Sequence, residues 1–228
     1  MNDRKEAPLK EDGGNNLFAR DWEVPWHAHL LPVVLAALMI VIWLNSDGRM
    51  SSYAVSWQSL KLNPVMPMLV HMLAHGGLPH VLMNSAVLLL LSGPLISRLG
   101  DPPLAWMRYM YLLIGSGISG ALLFLLLNLR ESASMLGASG AVFGLLGLLA
   151  RVHPATGHAV PIRSARTWLI AKFFVQNHLL LFAILALVAF LTGASALLAW
   201  EAHLGGLLFG FFAAPLFLKL PPSRQAKG

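Results

Sequence analysis

Cysteine is absent from the chain, which excludes disulfides, iron–sulfur clusters and thiolate metal sites. Charge is nearly as scarce. Only 11% of the 228 residues are Asp, Glu, Lys or Arg, against about 25% in a typical soluble domain. Since 57% are apolar, an ordinary soluble fold is excluded and the chain belongs in a bilayer. Internal repeats are missing too, so the chain lacks the paired halves on which many secondary transporters are built.

What is present is a succession of six apolar runs, at about 28–44, 79–97, 104–127, 137–151, 173–191 and 199–218. A hydrocarbon core about 30 Å thick takes roughly 17–25 helical residues, and the runs are read as six transmembrane helices of an all-α polytopic bundle. The first is not read as a secretory signal, because a polar stretch of about 25 residues precedes it and no small-residue cleavage site follows closely. No transit peptide is legible, and a bacterial plasma (inner) membrane is the expected location.

With the N-terminus inside, 13 of the 16 Lys and Arg fall in inner segments, leaving only Arg49, Lys61 and Arg130 outside. That asymmetry predicts two cytoplasmic termini. The net charge of +6 therefore reads as topology; the cations are spread over several loops rather than gathered in one stripe, so no nucleic-acid partner is expected. The expected organisation is a polar cytoplasmic tail over 1–27, a core over 28–220 and a second tail over 221–228. Within the core, segment 45–74 is expected in or on the outer leaflet. Trp57, Leu60, Leu62, Val65, Met66 and Met68 make it too apolar for a solvated loop, and Pro64 and Pro67 interrupt it as a span.

Strongly polar side chains are expensive in hydrocarbon, so each one inside a span is a functional hypothesis. Four stand out: His80, Asn84, Ser139 and His203. Counted at 1.5 Å per residue from the cation ending each helix, Asn84 lies roughly 21 Å above Arg98 and His80 roughly 27 Å. Ser139 lies roughly 18 Å above Arg151, and His203 roughly 24 Å above Lys219. Three helices thus bring Ser, His and Asn to one level in the outer half of the bilayer. Small residues at four-residue spacing, Ala202, Gly206, Gly210 and Ala214 on one span and Gly140 and Gly144 on another, let the serine and histidine helices approach closely. Phe143, one turn below Ser139, is placed to pack on the His203 ring.

A serine within reach of a histidine is an activated nucleophile. No carboxylate is placed to orient the imidazole, since Glu201 points to another face and Glu131 lies in a loop, so the inference is a Ser–His dyad. His80 and Asn84, four residues apart, offer an imidazole N–H and an amide NH2 to a developing oxyanion, with the Ser139 backbone N–H as a third donor. Gly137 and Gly140 leave room for a peptide to approach and permit an unusual backbone path.

"HGGLPHVLMN" (75–84), "GASG" (137–140) and "AHLGGLLFG" (202–210) resemble, in order and spacing, the signature of rhomboid intramembrane serine proteases. The resemblance extends over about 28–218. It implies a six-helix rhomboid-like bundle with Ser139 as nucleophile, His203 as general base and His80 and Asn84 as oxyanion-hole residues. It also matches Gly137 to the first glycine of the GxSG motif and His75 to a structural histidine. Such a protein acts on transmembrane protein substrates in the lipid bilayer, without metal or organic cofactor. Two departures are plain: Phe143 stands where family members often have Tyr, and Met66–Pro67 where they commonly have Trp–Arg.

Other readings exist for single residues. Ser139 alone suits a helix contact or a back-bond to an i−4 carbonyl, and Asn84 alone suits interhelical glue. His71, His75 and His80 are spaced like metal ligands, but there is no HExxH and no acidic residue to complete a site. The tryptophans near span ends, Trp26, Trp43, Trp106, Trp168 and Trp200, read as interface anchors. The rival functions are a catalytically silent rhomboid-like protein that binds or escorts membrane proteins, and a small transporter using histidines as proton relays. Retention of both Ser139 and His203 argues against the first, and the lack of repeats and buried acids against the second.

Overall fold

A computed structural model of the chain describes residues 24–47, 50–129, 133–153, 156–192 and 198–218. The polar tails read over 1–27 and 221–228 lie almost wholly outside the described residues, as do Glu131 and Lys219. The helices run α1 (His27–Leu44), α2 (Trp57–Leu62), α3 (Met66–Val70), α4 (Leu78–Ile96), α5 (Leu104–Leu127), α6 (Ser139–Leu149), α7 (Ala165–Thr192), α8 (Trp200–Phe212) and α9 (Ala214–Phe217). The fold is all-helical, and α1, α4, α5 and α7 are each long and apolar enough to cross a membrane.

Each of the six apolar runs carries a helix, and the boundaries differ where local chemistry intervenes. The last run breaks at Ala213, where Pro215 in the first turn of α9 cannot continue α8. The helix of the fifth run, α7, begins at Ala165, eight residues before the apolar run read from 173. Its first turn is held where the Arg166 Nε donates 2.8 Å back to the Leu149 carbonyl at the end of α6.

At 11 residues, α6 spans only about 16 Å. It is enclosed by α4, α5 and α8, and nearly every residue from Gly140 to Leu149 is buried. Its first residue is therefore recessed from the end of the bundle opposite the Arg-rich loops. The chain reaches that point along 133–138, which is held by the stretch read as lying in the outer leaflet. Val55 pairs with Met135 through two backbone hydrogen bonds, and the Gly137 N–H donates to the His71 carbonyl at 2.9 Å. The same stretch is fixed to α5 by Trp57, whose Nε1 donates to the Leu125 and Asn128 carbonyls, each at 3.1 Å. Trp57 thus anchors a loop in which Met66 and Pro67 open α3.

Glycine determines how closely α6 meets α8. A Cβ added to Gly206 would overlap the Gly140 carbonyl oxygen, one on Gly210 would overlap that of Gly144, and one on Gly147 would overlap that of Leu207. On the other side of α8, a Cβ on Gly120 of α5 would stand 2.6 Å from the Ala202 carbonyl, and one on Gly205 equally close to that of Ser119. With lipid tails as apolar as Leu, such helices are held by backbone packing rather than by expulsion of water. Among the described residues of α7, by contrast, only Arg166, Ile170 and His178 are fully buried. With half-buried Phe174 they form a single stripe at four-residue spacing, and large apolar side chains such as Leu179, Leu180, Leu187 and Phe190 face outward.

Gly206→Leu is expected to force α6 and α8 apart, an overpacking that costs about 1–3 kcal/mol or more. Thermal unfolding in detergent micelles should show a lowered Tm, while Leu at exposed Phe212 of the same helix should leave it unchanged.

Candidate active site

The close approach of α6 and α8 sets the site. Ser139 opens α6 and His203 lies in the first turn of α8, and the Ser139 Oγ stands 2.8 Å from His203 Nε2. The face of His203 is covered by Phe143, one turn along α6, with ring centroids 4.4 Å apart and planes inclined by 25°. This stack fixes the plane of the imidazole while leaving both ring nitrogens free to hydrogen-bond.

Asn84 and His80, on α4, meet the serine loop at Gly137. A Cβ added there would stand 2.7 Å from the His80 ring and 3.6 Å from Asn84 Nδ2. Gly137 has φ +122°, a conformation that side-chain-bearing residues rarely adopt. Two independent constraints, backbone and space, thus require glycine at this position. Asn84 is 3% exposed, and its Nδ2 is buried without a hydrogen-bond partner among the described residues. A buried amide donor left open is costly unless something else accepts from it. Ser139, as the first residue of a helix, adds an N–H that the helix itself cannot satisfy.

The two histidines that precede α4 support the loop. His71 is buried with its Nδ1 donating 3.0 Å to the Pro67 carbonyl, and burial lowers its pKa to about 4. His75 is likewise brought to about 4, by burial first and by the neighbouring His80 second. As a neutral ring it donates from Nδ1 to the Leu73 carbonyl at 3.3 Å and accepts at Nε2 from the Ala138 N–H at 3.5 Å. It therefore braces the residue just before Ser139, and it packs edge-on against His80 with centroids 5.0 Å apart.

Glu201 stands apart, accepting at Oε1 from Asn128 Nδ2 at 3.0 Å. The group on His203 Nδ1 is instead His178 of α7, whose Nε2 is 3.0 Å away. His178 Nδ1 in turn lies 2.8 Å from the Phe174 carbonyl, and its ring packs against Phe174 and Phe143. The sequence does not single it out, because an apolar run that begins at 173 sets His178 close to the inner surface. Counted from Arg166, in the first turn of the helix, His178 lies 12 residues along, roughly 18 Å. That is the level of Ser139.

Chemically, the arrangement holds a hydroxyl against an unencumbered imidazole nitrogen, beside an open amide donor, at the recessed start of a helix. The family model described as Rhomboid domain matches residues 63–220, which take in every residue named above from His71 to His203. "RHOMBOID-like protein 5" of Arabidopsis thaliana is 28% identical, over 87% of this chain and 70% of its own length.

Gly137→Ala is expected to strain the loop by about 1–3 kcal/mol and to push His80 off its position. Reactivity of Ser139 toward a fluorophosphonate should fall by about tenfold or more, read as the rate of covalent labelling, whereas Gly76→Ala, whose added Cβ meets only ordinary contacts, should label normally.

Proposed function

Because the chain belongs to the rhomboid family, we propose that it is an intramembrane serine endopeptidase, with Ser139 as nucleophile and His203 as general base. The observation that carries this reading is the 2.8 Å hydrogen bond between Ser139 Oγ and His203 Nε2. As Oγ attacks a peptide carbonyl, its proton passes to Nε2; the imidazolium then delivers it to the leaving amine, and water repeats the sequence on the acyl-enzyme. Negative charge grows on the carbonyl oxygen. The partnerless Asn84 Nδ2, the His80 ring and the Ser139 N–H are the donors that receive it. Gly137 and His75 shape and brace the loop, Gly140 and Gly206 let the two helices meet, and Phe143 holds the base in plane.

The catalytically silent alternative, a protein that only binds or escorts membrane proteins, has no use for a serine hydrogen-bonded to an oriented histidine. The substrates are transmembrane proteins. A helix hides its peptide bonds, so the segment cut must unwind first, which favours Gly, Ala or Ser near its outer end. The single buried stripe of α7 supports substrate access past this helix. We place both termini in the cytoplasm, with six spans and the site in the outer half of the bilayer.

In proteoliposomes carrying a single-span substrate, Ser139→Ala and His203→Ala are each expected to lower cleavage by about 10³-fold or more while remaining folded. Normal cleavage by Ser139→Ala, or no cleavage by the wild type across a broad substrate panel, contradicts the reading.

A further inference from the structure

The bond between His178 and His203 adds a third member to the pair assigned above. The Phe174 carbonyl can only accept, so the 2.8 Å contact puts the His178 proton on Nδ1. Nε2 of the neutral ring is then an acceptor, and the 3.0 Å contact puts a proton on His203 Nδ1. His203 Nε2 is thereby left bare, facing the Ser139 hydroxyl at 2.8 Å. Each of the three bonds has one donor and one acceptor, and for neutral rings no other assignment satisfies all three.

We propose that His178 is a positioning residue that holds His203 in the tautomer able to take the serine proton. The proposal rests on the protease reading. Without a partner on Nδ1, either nitrogen of a neutral imidazole can carry the proton, and the form protonated on Nε2 cannot act as base toward Ser139. The usual orienting group is a carboxylate, and Glu201 is engaged elsewhere by Asn128. His178 meets the need from α7, where burial to 7% exposure and contacts with Phe174 and Phe143 lock its ring.

Its part in the reaction conserves protons. As the Oγ–carbonyl bond forms, the hydroxyl proton moves to His203 Nε2; the other proton of the resulting imidazolium stays on His203 Nδ1, which becomes a charge-assisted donor to His178 Nε2. When the peptide C–N bond breaks, the Nε2 proton leaves with the amine. His178 neither gains nor loses a proton. Being neutral, it orients the base without balancing its charge, so its removal should cost less than the roughly 10⁴-fold loss that follows a wrong tautomer beside a carboxylate.

Three variants separate orientation from packing. His178→Leu fills space but offers no acceptor, and is expected to lower kcat about 10- to 100-fold with KM little changed. His178→Gln, whose carbonyl oxygen reaches about as far as Nε2, is expected to restore most of that loss, whereas the shorter His178→Asn is not. Labelling of Ser139 by a fluorophosphonate, which needs the same base but no transmembrane substrate, should follow the same order. The proposal is overturned if folded His178→Leu cleaves and labels within about twofold of the wild type, or if Gln is impaired as much as Leu and Asn. Those results leave the protease reading intact; a wild type whose Ser139 never labels overturns both.

Discussion

Everything at the site depends on how near two backbones can come. Gly206 and Gly210 of α8 lie against the Gly140 and Gly144 carbonyls of α6, at a separation with no room for a single added carbon. The contact carries no charge, and in a bilayer it gains nothing from expelling water; dispersion between closely set main chains is what holds it. Its consequence is geometric. The short side chains of Ser139 and His203 meet at hydrogen-bond distance only because the helices that bear them are in backbone contact. Gly120 and Gly205 repeat the device between α5 and α8, so α8 is gripped from both sides and His203 is set on a rigid element.

A second constraint comes from polar groups in a dry interior, each of which needs a partner. The loop that lowers the chain to Ser139 meets it with backbone and histidine partners: Val55 for Met135, the His71 carbonyl for Gly137, and the His75 ring for Ala138. Trp57 secures the covering segment to the end of α5. Among the described residues, the Asn84 amide is one of a few buried polar groups left without a partner, and it is the one that lies beside the serine loop. In the proposed protease it is the group whose partner arrives with the transition state, which is where an unpaired donor is best placed.

Much of this was legible in the sequence, for reasons that differ by residue. Apolar runs locate spans because hydrocarbon tolerates little else, and α5, 104–127, coincides with its run end to end. Depth counting sets Ser139 and Asn84 near one level because their anchors, Arg98 and Arg151, lie just past the ends of α4 and α6; Lys219, the anchor for His203, lies outside the described residues. The same arithmetic failed for His178 because its helix extends into a polar stretch. Hydropathy marks where the apolar residues begin, whereas Arg166 stays helical by donating to the Leu149 carbonyl. Nor does composition reveal that Trp57, rather than residues at 66 and 67, anchors the covering loop, since that bond spans 68 positions of sequence. Pairings across such distances are products of tertiary packing, and no local pattern encodes them.

The central claim is that a glycine-held contact presents Ser139 to His203 with donors waiting for an oxyanion. The most direct measurement is an experimental structure of the chain after reaction with a fluorophosphonate. The account predicts phosphorus bonded to Ser139 Oγ, with the phosphoryl oxygen within about 3 Å of Asn84 Nδ2 and turned toward His80. An adduct on another residue, or a phosphoryl oxygen facing away from Asn84, would contradict it.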